Sequence, residues 1–110
     1  MSADLGRLLE KAREAQSRLQ ELQRELARRR VDGSSGGGMV TAVASGDLRI
    51  LEIRIEPSLL ESGDRAMLQD LCAAAVNAAL GNAQRMIQEE MQRASSGLGL
   101  PLGGSGQHDA

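Results

Sequence analysis

No phenylalanine, tyrosine or tryptophan occurs anywhere in this chain of 110 residues. Aromatic side chains bury the most surface per residue, so the core must be assembled from Leu, Ile, Val, Met and Ala. A single small domain without that bulk, and with 13 glycines, has a thin core. A second copy of the chain is therefore expected to complete it. Without aromatic rings there is also no platform on which single-stranded bases could stack. One cysteine excludes an intrachain disulfide and suits a reducing compartment. No apolar run approaches membrane-spanning length, and the N-terminus lacks the order of a signal peptide. The expectation is a cytoplasmic protein with no membrane partner.

Catalytic and ligand-binding groups are equally scarce. Cys72 falls in an alanine-rich helical stretch, where cysteine acts as a small hydrophobe. The only histidine, His108, lies close to the C-terminus, so no base is placed beside the thiol. One Cys and one His offer no metal-ligand spacing. Ser34-Ser35-Gly36-Gly37-Gly38 has the glycine content of a phosphate loop. It runs into Met39-Val40 rather than Lys-Ser/Thr, and a strand follows it rather than a helix. A turn is the better reading. The chain is read as a non-enzyme needing neither metal nor cofactor.

The elements are laid out plainly. Leu5, Leu8, Ala12, Ala15, Leu19, Leu22 and Leu26 alternate in steps of three and four, the seam of a long amphipathic helix with Asp4 as its cap. About 27 residues at 1.5 Å each make a rod of about 40 Å, too long to lie wholly against so small a body. A short strand is expected around Arg30–Gly33, with Ser34–Gly38 as turn. Strands at Met39–Ala44 and Leu48–Glu56 follow, joined by Ser45-Gly46-Asp47. In the last strand Leu51, Ile53 and Ile55 alternate with Glu52, Arg54 and Glu56, and Pro57 closes it before a polar turn. Asp64 is placed to cap a helix running to Ala94, with Met67, Leu68, Leu71, Ala75 and Ala79 on its apolar side. Gly81 in its middle permits a bend, a split into two helices, or close packing. The fold class is α+β: a long N-terminal helix, a three-stranded antiparallel meander, and a C-terminal helix or helix pair. Residues 1–101 form one domain, and 102–110 read as a disordered tail.

Charge is unevenly placed. Residues 1–30 carry eight basic side chains against five acidic, and residues 31–110 carry five against ten. Arg7, Lys11, Arg13, Arg18, Arg24, Arg28 and Arg30 fall outside the heptad seam. Pairs such as Glu14–Arg18 and Glu25–Arg29, and a basic run closing the helix, account for many of these charges. What they leave over is a surplus of arginine on a rod that would occur twice in a dimer. Guanidinium is suited to phosphate, but charge asymmetry by itself is a weak sign of nucleic-acid binding.

Three segments carry a resemblance. Ile55-Glu56-Pro57-Ser58-Leu59-Leu60, followed by Leu68-Gln69-Asp70-Leu71-Cys72-Ala73-Ala74-Ala75-Val76-Asn77-Ala78-Ala79, resembles the I-D-P-S-L-L and L-E-D-L-V-A-A-A-x-N-x-A of the nucleoid-associated YbaB/EbfC family. Gly33–Val40 is similar to its glycine-rich turn before a valine-rich strand, and Ser95–Pro101 to its closing S-S-G-x-x-L-P. The likeness covers residues from about 5 to 101. It implies a homodimer with protruding helices that binds double-stranded DNA with little sequence preference, in the nucleoid, altering DNA conformation and gene expression. On that implication the DNA-binding residues are Arg7, Lys11, Arg13, Arg18, Arg24, Arg28, Arg29 and Arg30 on or beside the first helix, with Arg85 and Arg93 on the last. In one departure from the family's pattern, this chain's tail has no Lys or Arg after Arg93, and its overall charge is acidic. A second reading is a non-catalytic module whose long helix docks a replication or recombination protein.

Overall fold

The computed structural model describes residues 2–98. Helix α1 (Ser2–Arg28) leads into strands β1 (Arg30–Ser35), β2 (Val40–Ser45) and β3 (Ile50–Ile55). A single helical turn, α2 (Pro57–Glu61), precedes the 34-residue α3 (Arg65–Leu98). The strands form an antiparallel meander with β2 in the centre. This is the α+β arrangement expected from the sequence, and it is elongated. The Cα radius of gyration is 20.3 Å, against about 13 Å for a compact domain of this length.

The core is a small-residue sandwich. Val40, Ala42 and Ala44 of β2 face Ala75, Ala79 and Ala83 of α3, all fully buried. The alanines recur every four residues, so they form one line along the helix and let it approach the sheet closely. Gly33 of β1 completes the contact. A β-carbon built there would lie 2.1 Å from the backbone nitrogen of Ala79. Ser35 Oγ donates to the Leu71 carbonyl at 2.6 Å, and Asn82 Nδ2 donates to the Asp32 carbonyl at 2.8 Å. Helix α3 thus lies over β1 and β2 and scarcely reaches β3.

Several boundaries differ from expectation for identifiable reasons. β1 continues through Ser34 and Ser35, which pair with Thr41 and Val40, so only Gly36–Gly38 make the turn. All three have positive φ, a conformation that glycine adopts without penalty. Pro57 ends β3 but also opens α2, occupying a first-turn position where its missing N–H costs nothing. α2 buries Leu59 where the sequence reading placed a polar turn. A register shift between Val43 and Ala44 sets Ala44 opposite Ile50, so Ile50 joins Ile55 on the core face. Ile53, opposite Ala42, keeps the face of Ile55 as the alternation predicts but is 44% exposed, whereas Leu51 falls out of the alternation at the shift and is 47% exposed. Asp64 caps α3 as anticipated, its Oδ1 accepting from the Met67 amide at 3.0 Å. Gly81 neither bends nor splits α3, and nothing lies within 4 Å of where its β-carbon would be. The expected tail at 102–110, and the final residues of the S-S-G-x-x-L-P likeness, lie outside the described residues.

Candidate nucleic-acid interface

α1 meets the body only at its C-terminal end. Leu26 is buried, and its carbonyl is packed so closely on the β2–β3 turn that a β-carbon on Gly46 would lie 1.7 Å from it. Leu19 and Leu22 are half-buried, lining an open groove with Ala94 and Gly97 at the end of α3. Towards the N-terminus the seam is bare, with Leu5 58% and Leu8 65% exposed.

Helical spacing sorts the charges of α1 into rows. Arg7, Lys11 and Arg18 share one row beside the seam. Glu10, Glu14, Glu21 and Glu25 form a second row further round, and Arg13, Arg24 and Arg28 a third beyond that. Within this set the described contacts include one ion pair, Arg18 with Glu14 at 3.9 Å. The side chains of Arg7, Lys11, Arg13, Arg24 and Arg28 make no ion pair or hydrogen bond among the described residues. Those five cations are exposed.

Where α1 joins the sheet, the remaining arginines are organised differently. Glu52 on β3 accepts from Arg54 Nε at 2.8 Å and from Arg30 Nη2 at 3.0 Å, tying the two edge strands together over β2. Glu90 on α3 is held in the same way, by Arg93 at 2.5 Å and Arg29 at 3.4 Å. The Arg54 hydrogen bond, reinforced by charge, keeps the Glu52 carboxyl below its ordinary range and raises the Arg54 guanidinium in turn. The hydrogen bond from Arg93 lowers Glu90 likewise. Each cluster has two arginines on one carboxylate, and Asp32 also acts on Arg54, so the charges around Glu52 balance. Arg29 does not pair with Glu25, because α1 ends at Arg28 and turns Arg29 towards α3.

The structure thus divides the ten sequence candidates. Arg7, Lys11, Arg13, Arg18, Arg24 and Arg28 stand along α1, while Arg29, Arg30 and Arg93 are held in the two clusters. Arg85 is apart from both, hydrogen-bonded to Asn82 one turn earlier. Sequence reasoning passed over Arg54, whose alternation with Glu52 showed only that both leave the apolar side. It also passed over Arg49, paired with Asp47 at 3.8 Å in the β2–β3 turn. Cys72 is half-buried beside the core, in keeping with a packing role. His108 lies outside the described residues.

A model of the YbaB/EbfC DNA-binding family matches residues 1–98. Nucleoid-associated protein TTE0040 of Caldanaerobacter subterraneus is 39% identical over 98 residues, covering 89% of this chain and 88% of that protein. A nucleoid-associated protein of Pelotomaculum thermopropionicum is 40% identical over 101 residues, covering 92% and 96%. Among solved structures, the uncharacterized protein HP0035 from Helicobacter pylori shares the fold. Its TM-score is 0.63 at 24% identity, over 81% of this chain and 90% of that one.

Proposed function

The chain belongs to the YbaB/EbfC DNA-binding family, and from that premise we propose that it acts in the nucleoid as a homodimer gripping duplex DNA through backbone phosphates. The observation that carries this reading is α1, a rod packed on the body at its C-terminal end, with five exposed cations that no carboxylate engages among the described residues. Its length of about 40 Å is comparable with one duplex turn of about 34 Å. Arginine and lysine on such a rod neutralise phosphates without reading base edges, so binding follows charge rather than sequence. The acidic row on the same helix repels phosphate and confines contact to the basic rows on either side of it. Arg29 and Arg93, both held on Glu90, extend the cationic groups from the base of α1 onto α3.

The homodimer is supported by what the single chain leaves open. β3 is an edge strand, and Leu51, Ile53, Leu60 and Met67 on and just after it are all more than 40% exposed. An edge strand with exposed apolar neighbours is a pairing surface. A dimer formed there doubles the number of rods and lets one molecule bend or bridge DNA, with consequences for gene expression.

The test is fluorescence anisotropy of labelled random-sequence duplexes at low and physiological salt. Affinity that ignores sequence and falls steeply with salt supports the proposal; no binding at low salt overturns it. The second reading, a dock for a replication or recombination protein, draws on the bare leucines of α1. It gains if duplex binding fails while protein pulldown through α1 succeeds.

A further inference from the structure

The exposed tip of α1 is apolar in a way that phosphate binding does not use. Leu5, Leu8 and Leu9 are 58%, 65% and 52% exposed. The 240 Å³ groove beside Leu8 is lined by Asp4, Arg7, Leu8 and Lys11, so every wall of it belongs to α1 itself. Three leucines within five residues at the end of a charged rod form a contact surface rather than scattered exposure.

From the arrangement of charge around these leucines we infer that the tip docks against the tip of a second copy, antiparallel, about a two-fold axis. Leu5 and Leu8 occupy successive seam positions. A two-fold that sets Leu5 opposite the second copy's Leu8 also sets Leu8 opposite its Leu5. On one flank of that seam stand Asp4 and Lys11, a heptad apart. The same two-fold brings each Asp4 within one helical turn of the other copy's Lys11, giving two opposite-charge pairs across the contact. Leu9 widens the apolar stripe on the other flank. Phosphate would meet Asp4 as a like charge, and a uniformly acidic or basic partner would satisfy only one member of the pair. A second copy satisfies both.

Two helical turns per copy make a contact smaller than a stable interface requires. Association is therefore weak in free solution and effective where molecules crowd along DNA, each additional contact being nearly intramolecular. The tips would link one DNA-bound molecule to another. That bridging consequence rests on the duplex binding proposed above, whereas the self-association does not.

The experiment is sedimentation of the full chain over a wide concentration range without DNA. The wild-type chain should reach an assembly of at least double the mass available to Leu5→Gln/Leu8→Gln. That variant should weaken the final association step by about tenfold or more, the value of each buried leucine in an equilibrium constant. Asp4→Lys alone and Lys11→Asp alone should weaken the step as well, and the double exchange should restore it. Duplex–duplex capture is read beside single-duplex anisotropy, and the leucine variant should lose the first and keep the second. The inference is overturned if the leucine variant assembles like wild type, if it stops one step earlier as a monomer, or if the double exchange does not restore assembly.

Discussion

Gly33 and Ala79 are packed backbone to backbone, so closely that a single added methyl group on Gly33 would overlap the Ala79 amide. Neither side can yield, since β1 is held in the sheet and α3 by its line of buried alanines. Gly33→Ala should therefore cost about 3 kcal/mol in urea denaturation, at the upper end for overpacked sites. Gly81→Ala is its counterpart. With open space around it, that substitution should stabilise the single chain by about 1 kcal/mol through helix propensity.

Asp64 accounts for the start of α3 at Arg65. Asp64→Ala leaves the Met67 amide without its acceptor and should lower stability by about 1 kcal/mol. Thermal unfolding checks it, and Asp64→Asn should recover most of the loss because an amide oxygen caps as well.

The α1 cations and the clustered arginines should respond differently. Arg24→Gln/Arg28→Gln removes two exposed charges that make no ion pair or hydrogen bond within the described residues, so stability should fall by no more than about 1 kcal/mol, the value of Arg28 in the last turn of α1. Duplex affinity should drop equally for all sequences, and the slope of log K against log salt should fall by about 2 for each rod on the duplex, about 4 for the dimer. Arg29→Gln/Arg30→Gln should weaken binding and also loosen α1 from the body, visible as a lower melting temperature.

Glu52 and Glu90 carry the acid dependence. Both carboxyls are held below their ordinary value of 4.5 in the folded chain. A group lowered on folding contributes stability that is fully present above its unfolded value and lost as pH falls through the folded one. The melting temperature should thus hold down to about pH 5 and decline below about pH 4. Glu52→Gln should make that decline shallower. It also releases Arg30 and Arg54, and should tighten duplex binding at neutral pH by roughly two- to tenfold at low salt.

Much of this architecture is written in local periodicity. The heptad seam marks α1, Asp64 marks the start of α3, and the glycines mark the β1–β2 turn, because each signal lies within a few residues of what it specifies. What was misread needed a partner from elsewhere. Ser34 and Ser35 look like turn residues until Thr41, Val40 and Leu71 engage them. Leu51 belongs to the apolar alternation until the register shift opposite Val43 and Ala44 displaces it. The rows of charge on α1 follow from helical spacing alone. The two arginine–glutamate clusters do not, since they join residues 22 and 61 positions apart.

The same long spans govern how the protein is made. The sheet's inner face, with Val40, Ala42 and Ala44, is covered by Ala75, Ala79 and Ala83 and their α3 neighbours, with Leu59 of α2. Ser35 waits 36 residues for Leu71, Asp32 waits 50 for Asn82, and Arg29 waits 61 for Glu90. As the chain leaves the ribosome, α1 and the meander emerge with no partner for their apolar surfaces, and the core closes only when the middle of α3 follows.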